Sequence, residues 1–212
     1  MLNILNFEAF IIAITILTLT PGLDTALVLR NTSRAGFSDG AVTSFGICLG
    51  LFVHATLSAL GVSFILTQSA ELFYLVKAVG AAYLIWLGIG SLRAATTPQG
   101  IRVDVGTKQD LSVLRSLREG FLSNVLNPKT AVFYLAFLPQ FVNPEHSPLI
   151  QSLVMAGIHF IIAMIWQCGL SAMLNGAKKL LNSSGFMRWM EGITGAVLVI
   201  LGIKLLFEKG EF

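Results

Sequence analysis

Charge is what this sequence is short of. Asp, Glu, Lys and Arg make up 12% of its 212 residues, against 55% hydrophobic residues and a mean hydropathy of +0.78. Soluble domains carry about 25% charged residues. There is no Asp, Glu, Lys or Arg from Ala41 to Ala70, nor from His146 to Ala177. About 20 apolar residues cross a bilayer, so either stretch is long enough to span one, and little polar sequence is left for a soluble domain. Cysteine is nearly absent. Cys48 and Cys168 stand alone, each in mid-span, and read as small buried hydrophobes rather than as a disulfide. The first six residues, Met1 to Asn6, hold no basic residue, so the first span is expected to be retained rather than cleaved as a signal peptide. Gly-x-Ser-x-Gly and His-Glu-x-x-His motifs are missing, and Ser58 four residues after His54 is weak support for catalysis. No enzyme, cofactor or metal site is expected. The net charge of +3 is a topology signal and not a nucleic-acid footprint.

The expected fold is all-α and membrane-embedded, with six transmembrane helices at Phe7–Leu29, Gly40–Thr67, Leu72–Leu92, Gly120–Val142, Pro148–Leu174 and Trp189–Phe207. Residues 1–93 form a first three-helix repeat and residues 120–212 a second. The polar segment 94–119 is the connecting cytoplasmic loop. Basic residues in loops mark the cytoplasmic side. With both termini outside, ten of the fourteen fall in inner loops, against Lys77, Lys204 and Lys209 outside and Lys129 within a span. Three spans per copy is odd, so the second copy is inserted upside down. Gly80-Ala81 followed by Leu87-Gly88-Ile89, and Gly195-Ala196 followed by Leu201-Gly202-Ile203, mark the duplication.

Helices 1 and 4 are expected to break at proline, at Thr20-Pro21-Gly22-Leu23-Asp24 and at Asn127-Pro128-Lys129. Thr20 and Asn127 read as N-caps, and Pro21 and Pro128 as first helical residues. At 1.5 Å per residue, both prolines lie about 12–14 Å from the cytoplasmic edge. Two half-helix N-termini then meet near the midplane, where their N–H groups and dipoles favour a carboxylate. Asp24 suits an ammonium group, and Lys129 either holds the carboxylate or neutralises Asp24 in an architectural ion pair. Together Thr20, Pro21, Gly22, Asp24, Asn127, Pro128 and Lys129 suit a zwitterion, which points to an amino acid. Asp24, His54 and His159 are the candidate proton carriers. Gly46-x-x-x-Gly50 allows close helix approach.

The chain also resembles the LysE/RhtB family of bacterial amino-acid exporters, named for lysine export and homoserine/threonine resistance. The resemblance rests on Thr20-Pro21-Gly22-Leu23-Asp24, Arg34-Ala35-Gly36-Phe37, Gly40, Gly46, Gly50, His54, the run Gly80 to Gly88, Gly120-Phe121-Leu122, and Asn127-Pro128-Lys129 running on to Leu138-Pro139-Gln140-Phe141. The family carries a second proline where this chain has Leu23, which softens the first break. The resemblance implies export of an amino acid or close derivative across the bacterial inner membrane, driven by the proton gradient. Its partners are then the amino acid, protons and the lipid bilayer, with the cargo and the oligomeric state left open, a homo-oligomer included. A passive amino-acid channel is the nearest alternative. A thiol-redox carrier using Cys48 and Cys168 is more distant.

Overall fold

The computed structural model describes residues 4–68, 70–96, 109–143, 145–174, 179 and 183–207. These hold eight α-helices: α1 (Phe7–Leu19), α2 (Leu23–Ala35), α3 (Phe37–Gln68), α4 (Ala70–Thr96), α5 (Val113–Val125), α6 (Pro128–Ala136), α7 (Pro148–Ala172) and α8 (Ser184–Phe207). A short 3-10 turn at Leu138–Phe141 follows α6, and no strand occurs among the described residues. Segments Phe37–Gly61, Ala78–Thr96, Pro148–Ala172 and Ser184–Lys204 are each long and apolar enough to cross a membrane. The pair α1–α2, bent by 50°, makes a fifth if read as one broken span. The bundle's outer face is apolar: Ile12, Trp86, Ile165, Trp189 and Ile200 are all more than half exposed. An apolar surface of this extent calls for lipid or a protein partner.

Both expected breaks occur, but their details differ. Asn127 caps α6, its side chain accepting from the Lys129 N–H at 3.0 Å, and Pro128 is the first helical residue. Thr20 does not start a helix. It closes α1, with its N–H and hydroxyl both donating to the Ile16 carbonyl. The chain then runs extended through Gly22, and α2 begins at Leu23. The first helix pair also continues past Leu29 to Ala35, where Gly36, at φ 85°, adopts a conformation that favours glycine and ends α2. The fourth segment begins at Val113 rather than Gly120, inside what reads as loop. The last helix starts at Ser184, ahead of the expected Trp189.

The early start of α5 has a tertiary cause. Its charged residues join an ion network at the end of α2 remote from the break. Arg34 grips Asp39 at the start of α3 with two bonds of 2.8 and 2.9 Å, and reaches Glu119 on α5 at 3.1 Å. Glu119 also accepts from Arg30 at 3.0 Å, Arg115 at 2.9 Å and the Asn31 amide at 2.8 Å. Ser116 donates to Asp39 as well. Asp39 is fully buried, so its charge depends on this arrangement.

Glycine sets the helix spacing elsewhere. A methyl on Gly46 would strike the Leu117 carbonyl, and one on Gly120 would strike the Thr43 carbonyl, so α3 and α5 touch backbone to backbone. Helices α4 and α8 meet in the same way. A methyl on Gly88 would lie 2.8 Å from the Gly195 carbonyl, one on Gly195 would lie 2.6 Å from the Gly88 carbonyl, and one on Gly202 would lie 2.9 Å from the Ala81 carbonyl.

Two stability outcomes follow for detergent-purified protein followed by thermal unfolding. Gly120→Ala is expected to cost about 1–3 kcal/mol by overpacking, whereas Gly61→Ala, whose added methyl meets nothing within 4 Å, leaves unfolding unchanged. Arg34→Met is expected to cost about 3–5 kcal/mol because it strands the buried Asp39 carboxylate, and a second change, Asp39→Asn, recovers much of that loss.

Candidate functional site

The two helix breaks come together. The Asp24 carboxylate, one residue into α2, crosses to the α5–α6 junction and accepts three hydrogen bonds there. Ser123 Oγ donates at 2.7 Å, Asn124 Nδ2 at 3.1 Å and Asn127 Nδ2 at 3.3 Å. A carboxylate has about four lone-pair sites, so roughly one remains. All three donors are neutral, and the charge is solvated without being cancelled.

Lys129 does not cancel it. The four ion pairs closer than 4.0 Å among the described residues all belong to the Arg34–Glu119 network, and none includes Asp24 or Lys129. Asn127 is bonded to both residues. Its Nδ2 goes to Asp24 while its Oδ1 caps the Lys129 N–H. Yet Asp24 and Lys129 line the same cavity, about 260 Å³ in volume. A negative and a positive group therefore border one cavity without an ion pair between them.

Thr20, Gly22, Asn127, Pro128 and His159 line that cavity too, whereas Pro21 and His54 do not. The Thr20 hydroxyl is committed elsewhere, donating to Ile16 and accepting from Thr194 at 2.6 Å. The two half-helices differ as donors. No side chain caps the start of α2, whereas at α6 Pro128 has no N–H and Asn127 already takes that of Lys129.

The histidines also differ. His159, 4% exposed, is bonded at both ring nitrogens. Thr18 gives its hydroxyl proton to Ile14 at 2.7 Å, so it accepts from His159 Nε2 at 2.9 Å. Nδ1 then accepts from the Tyr134 hydroxyl at 2.9 Å. In the neutral ring this pattern corresponds to the Nε2–H tautomer. His54 stands behind the cavity wall and donates from Nε2 to the Asn124 carbonyl at 3.0 Å. Its ring lies 5.9 Å from that of Tyr134, which lies 5.9 Å from that of His159. A line of polar groups thus runs from Asp24 through Asn124 to His54, and past Tyr134 to His159. Ser58 is no nucleophile partner for His54, because its hydroxyl donates to the Tyr134 carbonyl at 2.7 Å. Cys48 and Cys168 are both free thiols.

Sequence reasoning missed Ser123, Asn124, Tyr134 and Gln167. The available signal was polarity out of place, most plainly a glutamine within the charge-free run from His146 to Ala177.

Membrane-length helices around a polar cavity, with two neighbours broken beside it, define a membrane transport protein. The chain belongs to the LysE type translocator family, whose family model matches residues 15–209. It is 34% identical over 201 residues to an uncharacterized membrane protein, YrhP, of Bacillus subtilis, covering 92% of this chain and 96% of that one. It is 28% identical over 198 residues to a homoserine/homoserine lactone efflux protein of Salmonella typhi, covering 93% and 94%. A leucine efflux protein of Klebsiella pneumoniae is 28% identical over 141 residues, covering 66% and 65%. No solved structure matches the chain.

The unpaired arrangement predicts a mutational pattern. Asp24→Asn turns an acceptor into a donor facing the Asn124 and Asn127 amides and is expected to abolish transport, as is Lys129→Met. Combining the two is expected to restore nothing, because no ion pair is being relieved. Transport assayed in vesicles, with membrane levels checked by immunoblot, reads this, and recovery in the double variant would show an architectural pair.

Proposed function

We propose that this protein exports an amino acid or a close derivative across the bacterial inner membrane. The observation that carries the reading is the 260 Å³ cavity with Asp24 and Lys129 in its wall, unpaired. An α-amino acid is a zwitterion. Its ammonium group takes the remaining lone-pair site of Asp24, and its carboxylate lies with Lys129 and the uncapped N–H groups at the start of α2. The names carried by the Salmonella and Klebsiella relatives support amino-acid efflux.

The architecture proposed is six spans in two inverted repeats, with α1–α2 and α5–α6 as the broken helices. The glycine contacts between α4 and α8 support it. If Gly80 corresponds to Gly195 and Gly88 to Gly202, a contact of Gly88 with Gly195 has as its mirror a contact of Gly202 with the Gly80–Ala81 turn. Gly88 meets the Gly195 carbonyl and Gly202 meets the Ala81 carbonyl, one residue from Gly80, which fits two-fold packing. The boundaries remain 1–93 for the first repeat and 120–212 for the second, with the helical start of α5 serving as the end of the connecting segment. Both termini lie outside by the distribution of Lys and Arg, and the Arg34–Glu119 network then lies on the cytoplasmic side.

Coupling is to protons. Asp24 and His54 are the proposed carriers in this conformation, since both ring nitrogens of His159 are already engaged by Thr18 and Tyr134. A proton on Asp24 would compete with a bound ammonium for the same carboxylate, and that competition is what exchange of one for the other requires.

The test is export from proteoliposomes loaded with radiolabelled amino acids, with a pH gradient imposed across the membrane. Efflux is expected to accelerate when protons run inward and to lose that dependence in His54→Asn. Efflux indifferent to the gradient in the unmutated protein would mark a passive channel instead.

A further inference from the structure

Gln167 makes no hydrogen bond at either end of its amide among the described residues, and it lines the cavity. It is 6% exposed, and its Oε1 is one of four buried side-chain polar atoms without a partner. Asn124 Oδ1 is another, but its position is accounted for. Asn124 Nδ2 is drawn to Asp24, so the oxygen turns away against α3 at Gly50, where an added methyl would lie 2.6 Å from it. Nothing draws Gln167. The contrast with Gln151 on the same helix is informative. Gln151 is fully buried, accepts from the Asn143 N–H at 2.9 Å and donates to the Asn143 carbonyl at 2.8 Å. A buried amide left unpaired is costly, and one in a binding cavity is a group awaiting a partner.

Its position suggests which part of the ligand it meets. His159, Ala163 and Gln167 follow at i, i+4 and i+8, so one face of α7 borders the cavity. On that face His159 is already bonded at both nitrogens and Ala163 has no polar group. Helix α7 carries no charged residue between Pro148 and Ala172. A ligand side chain reaching this wall finds one uncharged amide with no partner among the described residues, and no counter-ion.

We propose that Gln167 is the specificity residue of this transporter, selecting amino acids whose side chain ends in a neutral hydrogen-bonding group, such as a hydroxyl or carbonyl, over apolar and charged ones. The assignment rests on the reading of Asp24 and Lys129 as the holders of the ammonium and carboxylate. Those groups are common to every amino acid and supply affinity. Gln167 supplies the preference, because a site built to bond a hydroxyl disfavours the analogue lacking it.

Homoserine and norvaline test this directly, since they have nearly the same shape and differ in a terminal hydroxyl against a methyl. Binding to the purified full-length protein is measured by calorimetry, with lysine as the charged comparison. The unmutated protein is expected to bind homoserine about tenfold or more tightly than norvaline, and lysine least. Gln167→Leu is expected to remove that preference by weakening homoserine alone, while its unfolding temperature holds or rises because an unpaired buried amide has gone. Loss of affinity for both ligands in equal proportion, or for neither, would overturn the assignment and leave Gln167 with a water or a packing role. Failure of the unmutated protein to bind any of the three would overturn the amino-acid reading of the cavity itself.

Discussion

The Asp24 carboxylate and its three donors are the constraint on which the site depends. A charge in an apolar bundle costs several kcal/mol unless it is solvated by the protein. Here Ser123, Asn124 and Asn127 take the place of water, with hydrogen bonds to a charged group worth about 1.5–3 kcal/mol each. All three stand at the end of α5 or at the cap of α6. The start of α2 is therefore tied to the second helix break. Removing the charge would release α2, and removing the break would scatter its donors.

This tie works because the helices around it approach closely. In a membrane, helix association gains little from apolar burial, so small residues and polar contacts carry it. Gly46 and Gly120 bring α3 and α5 into backbone contact, which sets Asn124 against α3 and its carbonyl within reach of His54. At its other end α2 is clamped again, by Arg34 to Asp39 and Glu119. The helix is held at both ends by α5, at one end through neutral donors on the half-buried Asp24 carboxylate and at the other through ion pairs. Only the first of these lies in the cavity wall, and it is the one a cationic group can perturb.

Much of this was legible locally. Asn127-Pro128 is a helix start written in adjacent residues, an oxygen cap followed by a ring that needs no N–H donor, and the structure follows it. Thr20-Pro21 carries the same local signal and does not behave that way. Gly22 lets the chain stay extended for two further residues, and the Thr20 hydroxyl finds the Ile16 carbonyl behind it. The start of α5 was hidden because Arg115, Arg118 and Glu119 look like loop residues. Arg115 and Glu119 are paired within the helix, and Glu119 also pairs with Arg30 and Arg34 on α2. The partners of Asp24 lie 99, 100 and 103 residues away, beyond the reach of any motif. That the family pattern includes both Asp24 and Asn127 identified the residues without revealing that they touch.

On the proposed reading, the separation of Asp24 from Lys129 is what leaves the cavity open to a charged ligand. Had the two paired, each would have satisfied the other and the cavity would present no net demand to a ligand. Asn127 bridges the two residues with a single side chain, one end bonded to the Asp24 carboxylate and the other to the backbone N–H of Lys129, and no ion pair joins their charges. Both residues line one cavity without pairing with each other. A zwitterion suits that arrangement in a way that neither a cation nor an anion alone can.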